Sequence, residues 1–344
     1  MDEIVKKAGG VFVSGFEGTA VPLELLEDLS MDAIAGVILF KRNIGSPGDL
    51  AALTESVYKA CKGSAPIVSV DQEGGRVQRL TEPWRSWPSA GSMGDSRDTV
   101  LINEVGFAMG VEMAAAGFNL DFAPVLDTHT NPENPIIGDR AFASDPEDVA
   151  RFALAYADGL QRAGIAPCGK HFPGHGDTVT DSHKTLPRVE HNDERLRRVE
   201  LHPFAAAVSH LPAIMTAHVV FPAWDKDHPA TLSGAIIRGI LRDELGFSGL
   251  VVSDDLEMKA VSERYSPGES AVRCIRAGVD LMLVCRSREV FVEARKRLIQ
   301  EARRDGVFAG MLEDAWKRVQ MFRKRLKVNL PDRGLMERLM AETG

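Results

Sequence analysis

Apolar residues in this chain gather in short, nearly unbroken runs, and between the runs they recur every three or four positions. Runs of Val, Ile and Leu bounded by glycine or polar residues are what strands buried on both faces require. Eight such runs stand out, at 10–14, 36–40, 66–70, 120–125, 165–169, 213–217, 249–253 and 280–284. The segments between them carry helix punctuation. Ser46-Pro47 opens one helix, with Leu50, Leu53, Val57 and Cys61 along a single face. Ser144-x-x-Glu147 has the form of a capping box with Pro146 in the first turn. Val149, Phe152, Tyr156 and Leu160 follow at helical spacing, and Gly164 stands where that helix should stop. Eight strand–helix alternations in about 290 residues predict an α/β fold, a (β/α)8 barrel, with a doubly wound open sheet as the second choice. Residues 1–344 are expected to form one domain in which 288–344 is a C-terminal helical tail packed on the barrel.

The composition narrows the function classes. Of 344 residues, 44% are hydrophobic and 26% charged, which is globular rather than disordered. The net charge of −8 argues against nucleic acid or anionic membrane as partner, since both call for a basic footprint. No apolar run approaches the roughly 18 residues that span a bilayer, and the start, Met1-Asp2-Glu3-Ile4, lacks a basic leader region, so no signal peptide is expected. The four cysteines are scattered without a CxxC pair, which suggests neither a zinc ribbon nor a disulfide framework. The expected location is a reducing cytoplasm, with no obligate protein partner. The basic residues of the tail read as a solvated surface.

Chemistry in a barrel of this kind sits at the C-terminal ends of the strands. Five of the eight ends are polar: Asp71 after the third run, Asp127 after the fourth, Lys170-His171 after the fifth, His218 after the sixth and Asp254-Asp255 after the seventh. The stretch from Lys170 to His183 holds three of the nine histidines. Its length and its glycines lead to the expectation that Phe172–Pro187 is a mobile lid. Asp181-x-His183 has the form of a carboxylate–imidazole dyad, in which the carboxylate fixes the ring tautomer for proton transfer. Of the two aspartates ending the seventh run, Asp254 reads as functional and Asp255 as a cap for a helix beginning near Leu256. Asp71 and Arg79, on either side of the Gly74-Gly75 turn, can both reach the mouth, and Arg140 can hold a polyhydroxylated or acidic ligand. A competing reading makes His171, His218 and Asp254 ligands of a hydrolytic metal, with Asp181 or His175 assisting. The first strand, Val11-Phe12-Val13-Ser14, offers no His-x-His pair for it, and no metal or other cofactor is expected.

These motifs carry a resemblance. Lys170-His171-Phe172-Pro173-Gly174-His175-Gly176-Asp177 with Asp181-Ser182-His183 closely resembles the β-N-acetylhexosaminidase branch of glycoside hydrolase family 3. So do Asp71-Gln72-Glu73-Gly74-Gly75-Arg76-Val77-Gln78-Arg79, Gly138-Asp139-Arg140 and Ser253-Asp254-Asp255-Leu256, in the same order. Ala141 departs from the serine that many relatives carry after the arginine. The resemblance implies a (β/α)8 barrel, Asp254 as nucleophile, His183 as general acid/base and Asp181 as its partner. It places Asp71, Arg79, Arg140, Lys170 and His171 at sugar-binding positions. The implied substrate is a small carbohydrate with a terminal β-linked N-acetylglucosamine, such as a muropeptide released in cell-wall recycling. The implied route is retaining, through a covalent glycosyl-aspartate. Many relatives carry a further α/β domain that can supply the acid. This sequence stops soon after the barrel, so the acid is expected from the barrel's own loops.

Overall fold

The computed structural model describes residues 3–179 and 186–341. Eight strands form one closed parallel barrel: β1 (Phe12–Ser14), β2 (Gly36–Leu39), β3 (Ile67–Val70), β4 (Leu120–Asp121), β5 (Ala166–Phe172), β6 (Ala213–Thr216), β7 (Leu250–Asp255) and β8 (Leu281–Val284). Neighbours in sequence are neighbours in the sheet, and closure comes from β1, which sets Val13 opposite Gly36 of β2 and Phe12 opposite Met282 of β8. Every strand coincides with one of the apolar runs. Side chains along them are almost wholly buried because the barrel interior covers one face and the helices the other.

Three strand ends differ from the expected ones by two residues or more, and each difference bears on the site. β4 stops at Asp121, four residues early. Pro124 has no N–H for the ladder, and what remains of the run pairs irregularly with β5 through Cys168 N to Ala123 O and Lys170 N to Pro124 O. β5 continues to Phe172, so Lys170 and His171 lie within the strand rather than after it. β7 continues through Asp255. One element was not foreseen, a short antiparallel hairpin of Val220–Phe221 with Asp225–Pro229. It has no apolar alternation and is held instead by Asp225, whose carboxylate accepts from Asp227 N at 3.0 Å and Ser233 Oγ at 2.7 Å.

The helices mostly follow their punctuation. Ser46 caps Pro47–Ala60 by accepting from Asp49 N, and Gly164 ends Pro146–Ala163 at φ +87°. The cap of that second helix is Asp145, not Ser144. Pro146 takes the first helical position, so the residue just before it becomes the cap, and its carboxylate accepts from Glu147 N and Asp148 N. After β8, Arg288–Arg304 packs on β1, with Phe291 edge-on to Phe12 at 5.4 Å. The first helix of the expected tail is therefore the eighth helix of the barrel. Gly306–Arg325 and the chain beyond it cross the N-terminal mouth of the barrel. Arg323, 0% exposed, donates to the carbonyls of Ser64 at 2.8 Å and Ala65 at 2.9 Å, just ahead of β3, and to Asp32 ahead of β2. Asn329 donates to Phe118 O ahead of β4 and to Gly164 O ahead of β5. Among the described residues no helix is long and apolar enough to cross a membrane.

This floor sets a stability prediction. Arg323→Ala strands two partly buried carbonyls and half-frees Asp32, which among the described residues keeps only Lys6. A loss of about 3 kcal/mol is expected, since breaking a buried polar pair from one side leaves the other unsatisfied. Urea unfolding followed by far-UV circular dichroism measures it, and an unchanged midpoint would contradict the role given to Arg323.

Candidate active site

A cavity of about 210 Å³ opens at the C-terminal mouth of the barrel, where the polar strand ends converge. A larger groove, about 940 Å³, lies at the opposite end between Gly306–Arg325 and the segments leading into β5, β6 and β7. Its lining includes His210, Arg318, Arg325 and Lys327 but no carboxylate, so it holds no carboxylate nucleophile. The chemistry is at the mouth.

The chain reaches the cavity from β3 through a turn that only glycine allows. Gly74 has φ +89° and Gly75 φ +54°, and a Cβ on Gly74 would sit 2.2 Å from Pro88 O. Glu73 N donates to Val77 O at 2.9 Å across this turn, and Gln72 Oε1 accepts from Arg79 N, so Asp71, Glu73 and Arg79 all return to the cavity wall. From β5 come Lys170 and His171, and Arg140 arrives from the short helix Gly138–Arg140.

These side chains form a line of alternating charge. Arg79 Nη2 lies 3.3 Å from Asp71 Oδ2, and Lys170 Nζ donates to Asp71 Oδ1 at 2.8 Å and to Glu73 Oε1 at 2.6 Å. Arg140 grips Glu73 with Nε and Nη2, both at 2.8 Å, and its Nη2 lies 3.5 Å from His171 Nε2. The line ends at Asp127, whose Oδ2 accepts from His171 Nδ1 at 2.7 Å. Burial alone would neutralise these groups. The neighbouring cations outweigh it, holding the Asp71 and Glu73 carboxyls below their ordinary range, while the two carboxylates hold the Lys170 ammonium above its own. Burial likewise opposes ionisation of Asp127, and His171 more than offsets it.

Asp127 also accepts from His171 N at 3.2 Å and His175 N at 2.7 Å, so it organises the segment after β5. Burial pushes the His175 imidazole down to about 4, and its Nδ1 lies 2.8 Å from Thr178 Oγ1. Asn134 Nδ2 donates to His175 O and Gly176 O, and a Cβ on Gly176 would lie 1.8 Å from Thr128 O. Phe172–Thr178 is therefore packed and tied down, which corrects the expectation of a lid for that part. Asp177 accepts from Thr130 Oγ1 at 2.7 Å and pairs with His191 Nε2. Asp181 and His183 lie outside the described residues.

At the end of β7, Asp254 lines the cavity and its Oδ1 accepts from Asp255 N at 2.8 Å. Asp255 also borders the cavity, and it caps a turn and not the expected helix: its Oδ1 accepts from Glu257 N at 3.1 Å and Cys285 N at 3.2 Å, and the next helix begins only at Lys259. Burial raises its carboxyl to about 7. His218 props the same strand end, with Nε2 2.9 Å from Asp255 O and Nδ1 2.9 Å from Thr231 Oγ1. With both ring nitrogens of His218 engaged in this way, the set of His171, His218 and Asp254 lacks a free imidazole nitrogen at one of its three positions. Among the described residues no three His, Cys, Asp or Glu side chains are grouped as metal ligands.

The structure thus brings together Asp71, Arg79, Arg140, Lys170, His171 and Asp254 around one cavity. Two residues of this site received no role from the sequence, Glu73 and Asp127. A charge count would have flagged them, because Arg79, Arg140 and Lys170 cannot be buried together against Asp71 alone.

The family comes from comparison with known proteins. The glycosyl hydrolase family 3 N-terminal domain matches residues 12–321. The chain is 41% identical over 283 residues to a protein named beta-hexosaminidase from Alkalilimnicola ehrlichii, covering 80% of each. Beta-hexosaminidase A of Pseudoalteromonas piscicida is 36% identical over 287 residues, but the match spans only 48% of that longer protein. Among solved structures, a family 3 β-N-acetylglucosaminidase from Paenibacillus sp. str. FPU-7 superposes with a TM-score of 0.88 at 36% identity, over 97% of this chain and 68% of that one. NagZ from Neisseria gonorrhoeae, solved in complex with N-trifluoroacetyl-D-glucosamine, gives 0.77 at 32% identity, over 90% and 98% of the two chains. With the match running from β1 to the helix that closes the barrel floor, the chain belongs to glycosyl hydrolase family 3 and is a glycoside hydrolase.

Proposed function

We propose that the protein is a retaining exo-β-N-acetylglucosaminidase that removes terminal β-linked N-acetylglucosamine from cell-wall fragments such as muropeptides. The observation that carries this reading is Asp254, a carboxylate at the end of β7 on the same small cavity as Asp71, Arg79, Arg140, Lys170 and His171. At about 210 Å³ the cavity is smaller than the roughly 300–1,000 Å³ of drug-sized pockets, which supports one sugar ring and hence cleavage from a chain end. The named relatives and the glucosamine analogue bound by NagZ support the N-acetylated sugar. Free thiols at Cys61, Cys168, Cys274 and Cys285 are in keeping with a reducing compartment such as the cytoplasm.

The chemistry runs in two displacements. Asp254 attacks the anomeric carbon as the bond to the departing oxygen breaks, and His183, oriented by Asp181, gives that oxygen a proton. Neutral His183 then takes a proton from water, which attacks the same carbon and releases Asp254. The charged line of Asp71, Lys170, Arg79 and Arg140, with the His171 imidazole beside it, holds the sugar hydroxyls. It speeds the reaction only through contacts that tighten in the transition state. Side chains supply both the nucleophile and the proton, so no cofactor enters. The carbohydrate is the only partner required.

A product-resolved assay of muropeptide, chitobiose and glucoside substrates tests the specificity. N-acetylglucosamine release from the muropeptide is expected to dominate and to survive exhaustive chelation, whereas faster glucoside cleavage would refute the reading. Asp254→Asn should lose nearly all turnover while folding, and a slow fluorinated N-acetylglucosaminide should label Asp254. Labelling of Asp255 would reverse the two roles.

His183→Ala should cut cleavage of natural linkages by roughly 10²–10⁴-fold while sparing glycosyl-enzyme formation from nitrophenyl sugars, with turnover restored by azide. Equal slowing of all substrates without azide rescue would make His183 structural.

Asp255 also sets a pH dependence. Its folded value of about 7 exceeds the unfolded carboxyl value of roughly 3.9, so the folded state binds the extra proton between those pH values. Stability contributed by protonated Asp255 is thus lost as pH rises from about 4 to 7. Asp255→Asn should flatten the decline in the urea midpoint across that window, and an unaltered slope would count against it.

A further inference from the structure

We propose that Glu73 is the positioning residue of the sugar site: buried in the cavity wall between Arg140 and Lys170, it fixes both cations in the orientation that receives the sugar. The inference rests on the sugar-site reading above and deepens it. Glu73 is 4% exposed, and both of its oxygens are taken, Oε2 by Arg140 Nε and Oε1 by Arg140 Nη2 and Lys170 Nζ. A fork-on-fork guanidinium–carboxylate pair sets the plane of the guanidinium as well as its distance. Among the described residues Arg140 has two further contacts, Ile136 O at 3.3 Å and His171 Nε2 at 3.5 Å, and Lys170 has one, Asp71 Oδ1 at 2.8 Å. N–H bonds therefore remain on both cations, and both line the cavity.

The backbone supports the same conclusion. The Gly74–Gly75 turn with Glu73 N on Val77 O locks the residue that carries the carboxylate, so the clamp is anchored in β3 while the groups it orients come from β5 and the loop at 138–140. Glu73 cannot be the acid itself, because Arg140 and Lys170 keep its proton off throughout the working range. Without its charge, Arg140 and Lys170 would face each other across a site in which Asp71 alone neutralises Lys170 and Arg79.

The test is a double-mutant cycle read in steady-state kinetics on p-nitrophenyl N-acetylglucosaminide. Glu73→Gln is expected to raise KM about 10–100-fold with a smaller fall in kcat, the cost of misplacing groups that bind the ring. Glu73→Asp, which keeps the charge, is expected to recover part of that loss. In an Arg140→Met background the same Glu73→Gln change should cost only a few-fold, because a main target of the clamp is already gone. Losses that multiply fully in the two backgrounds would overturn the proposal, as would an unchanged KM with only a lowered urea midpoint. If Glu73→Gln does not fold, Glu73→Asp runs the same cycle and the same non-additivity decides it. Should the wild type prefer another p-nitrophenyl glycoside, the specificity reading fails while the cycle proceeds on that glycoside. Should it cleave none, calorimetric affinity for free N-acetylglucosamine and glucose supplies the readout, and absence of coupling there overturns the role of Glu73.

Discussion

A lysine ammonium 2% exposed to solvent is the constraint around which this site is built. Left alone, Lys170 would give up its proton rather than be buried charged. Asp71 and Glu73 make the charge tenable, and each is made tenable in turn by a further cation, Arg79 on one side and Arg140 on the other. The arrangement has no spare member, since removing one partner of a buried pair costs roughly 3–5 kcal/mol through the charge left behind. It also joins parts of the chain that share no local structure: the loop after β3, the end of β5 and the segment at 138–140. The closed barrel matters because it is the scaffold that holds those three in one register.

The same dependence explains what could be read ahead of the structure. Burial on both faces writes itself into local sequence, so all eight strands and the Ser46 and Gly164 helix signals were visible. Strand ends were less so, because they turn on single backbone groups: Pro124 withdraws an N–H and shortens β4, while β5 and β7 run on into their polar residues. Pairings across the barrel leave no local trace. Glu73 meets Arg140 at a separation of 67 residues and Asp127 meets His171 at 44, and neither spacing has a pattern to detect. The candidate nucleophile and the other candidate side chains of the cavity were flagged at strand ends or by resemblance, but Glu73 and Asp127, which hold their neighbours in place, were given no role.

The segment from Phe172 to Thr178 shows where composition misleads. Glycine permits motion, and equally it permits backbone to approach backbone. Gly176 serves the second purpose, packed against Thr128 O, and the flanking His175 is anchored through its N–H on Asp127. Asp254 and Asp255 make the complementary point. Two identical side chains end one strand and both border the cavity, yet their hydrogen bonds differ: Asp255 Oδ1 takes two backbone N–H groups from Glu257 and Cys285 under heavy desolvation, while Asp254 Oδ1 takes that of Asp255.

The two ends of the barrel use arginine in opposite ways, and the difference is what makes one end chemically competent. At the floor, Arg323 donates to the Ser64 and Ala65 carbonyls and to Asp32, and Arg242 donates to the carbonyls of Phe247 and Gly249 and to Asp280. Those guanidinium groups are spent on backbone that the strands leave unpaired, and they fix the floor without offering anything to a ligand. At the mouth, Arg140 leans on a single carboxylate, and the backbone takes only one longer contact from it. A cation held by a carboxylate keeps its spare N–H bonds directed, which suits a neutral, hydroxyl-rich ring. With Asp71 and Glu73 set against Arg79, Arg140 and Lys170, most of the charge is met inside the wall, and what the mouth presents to a ligand is directed N–H groups rather than a row of bare cations.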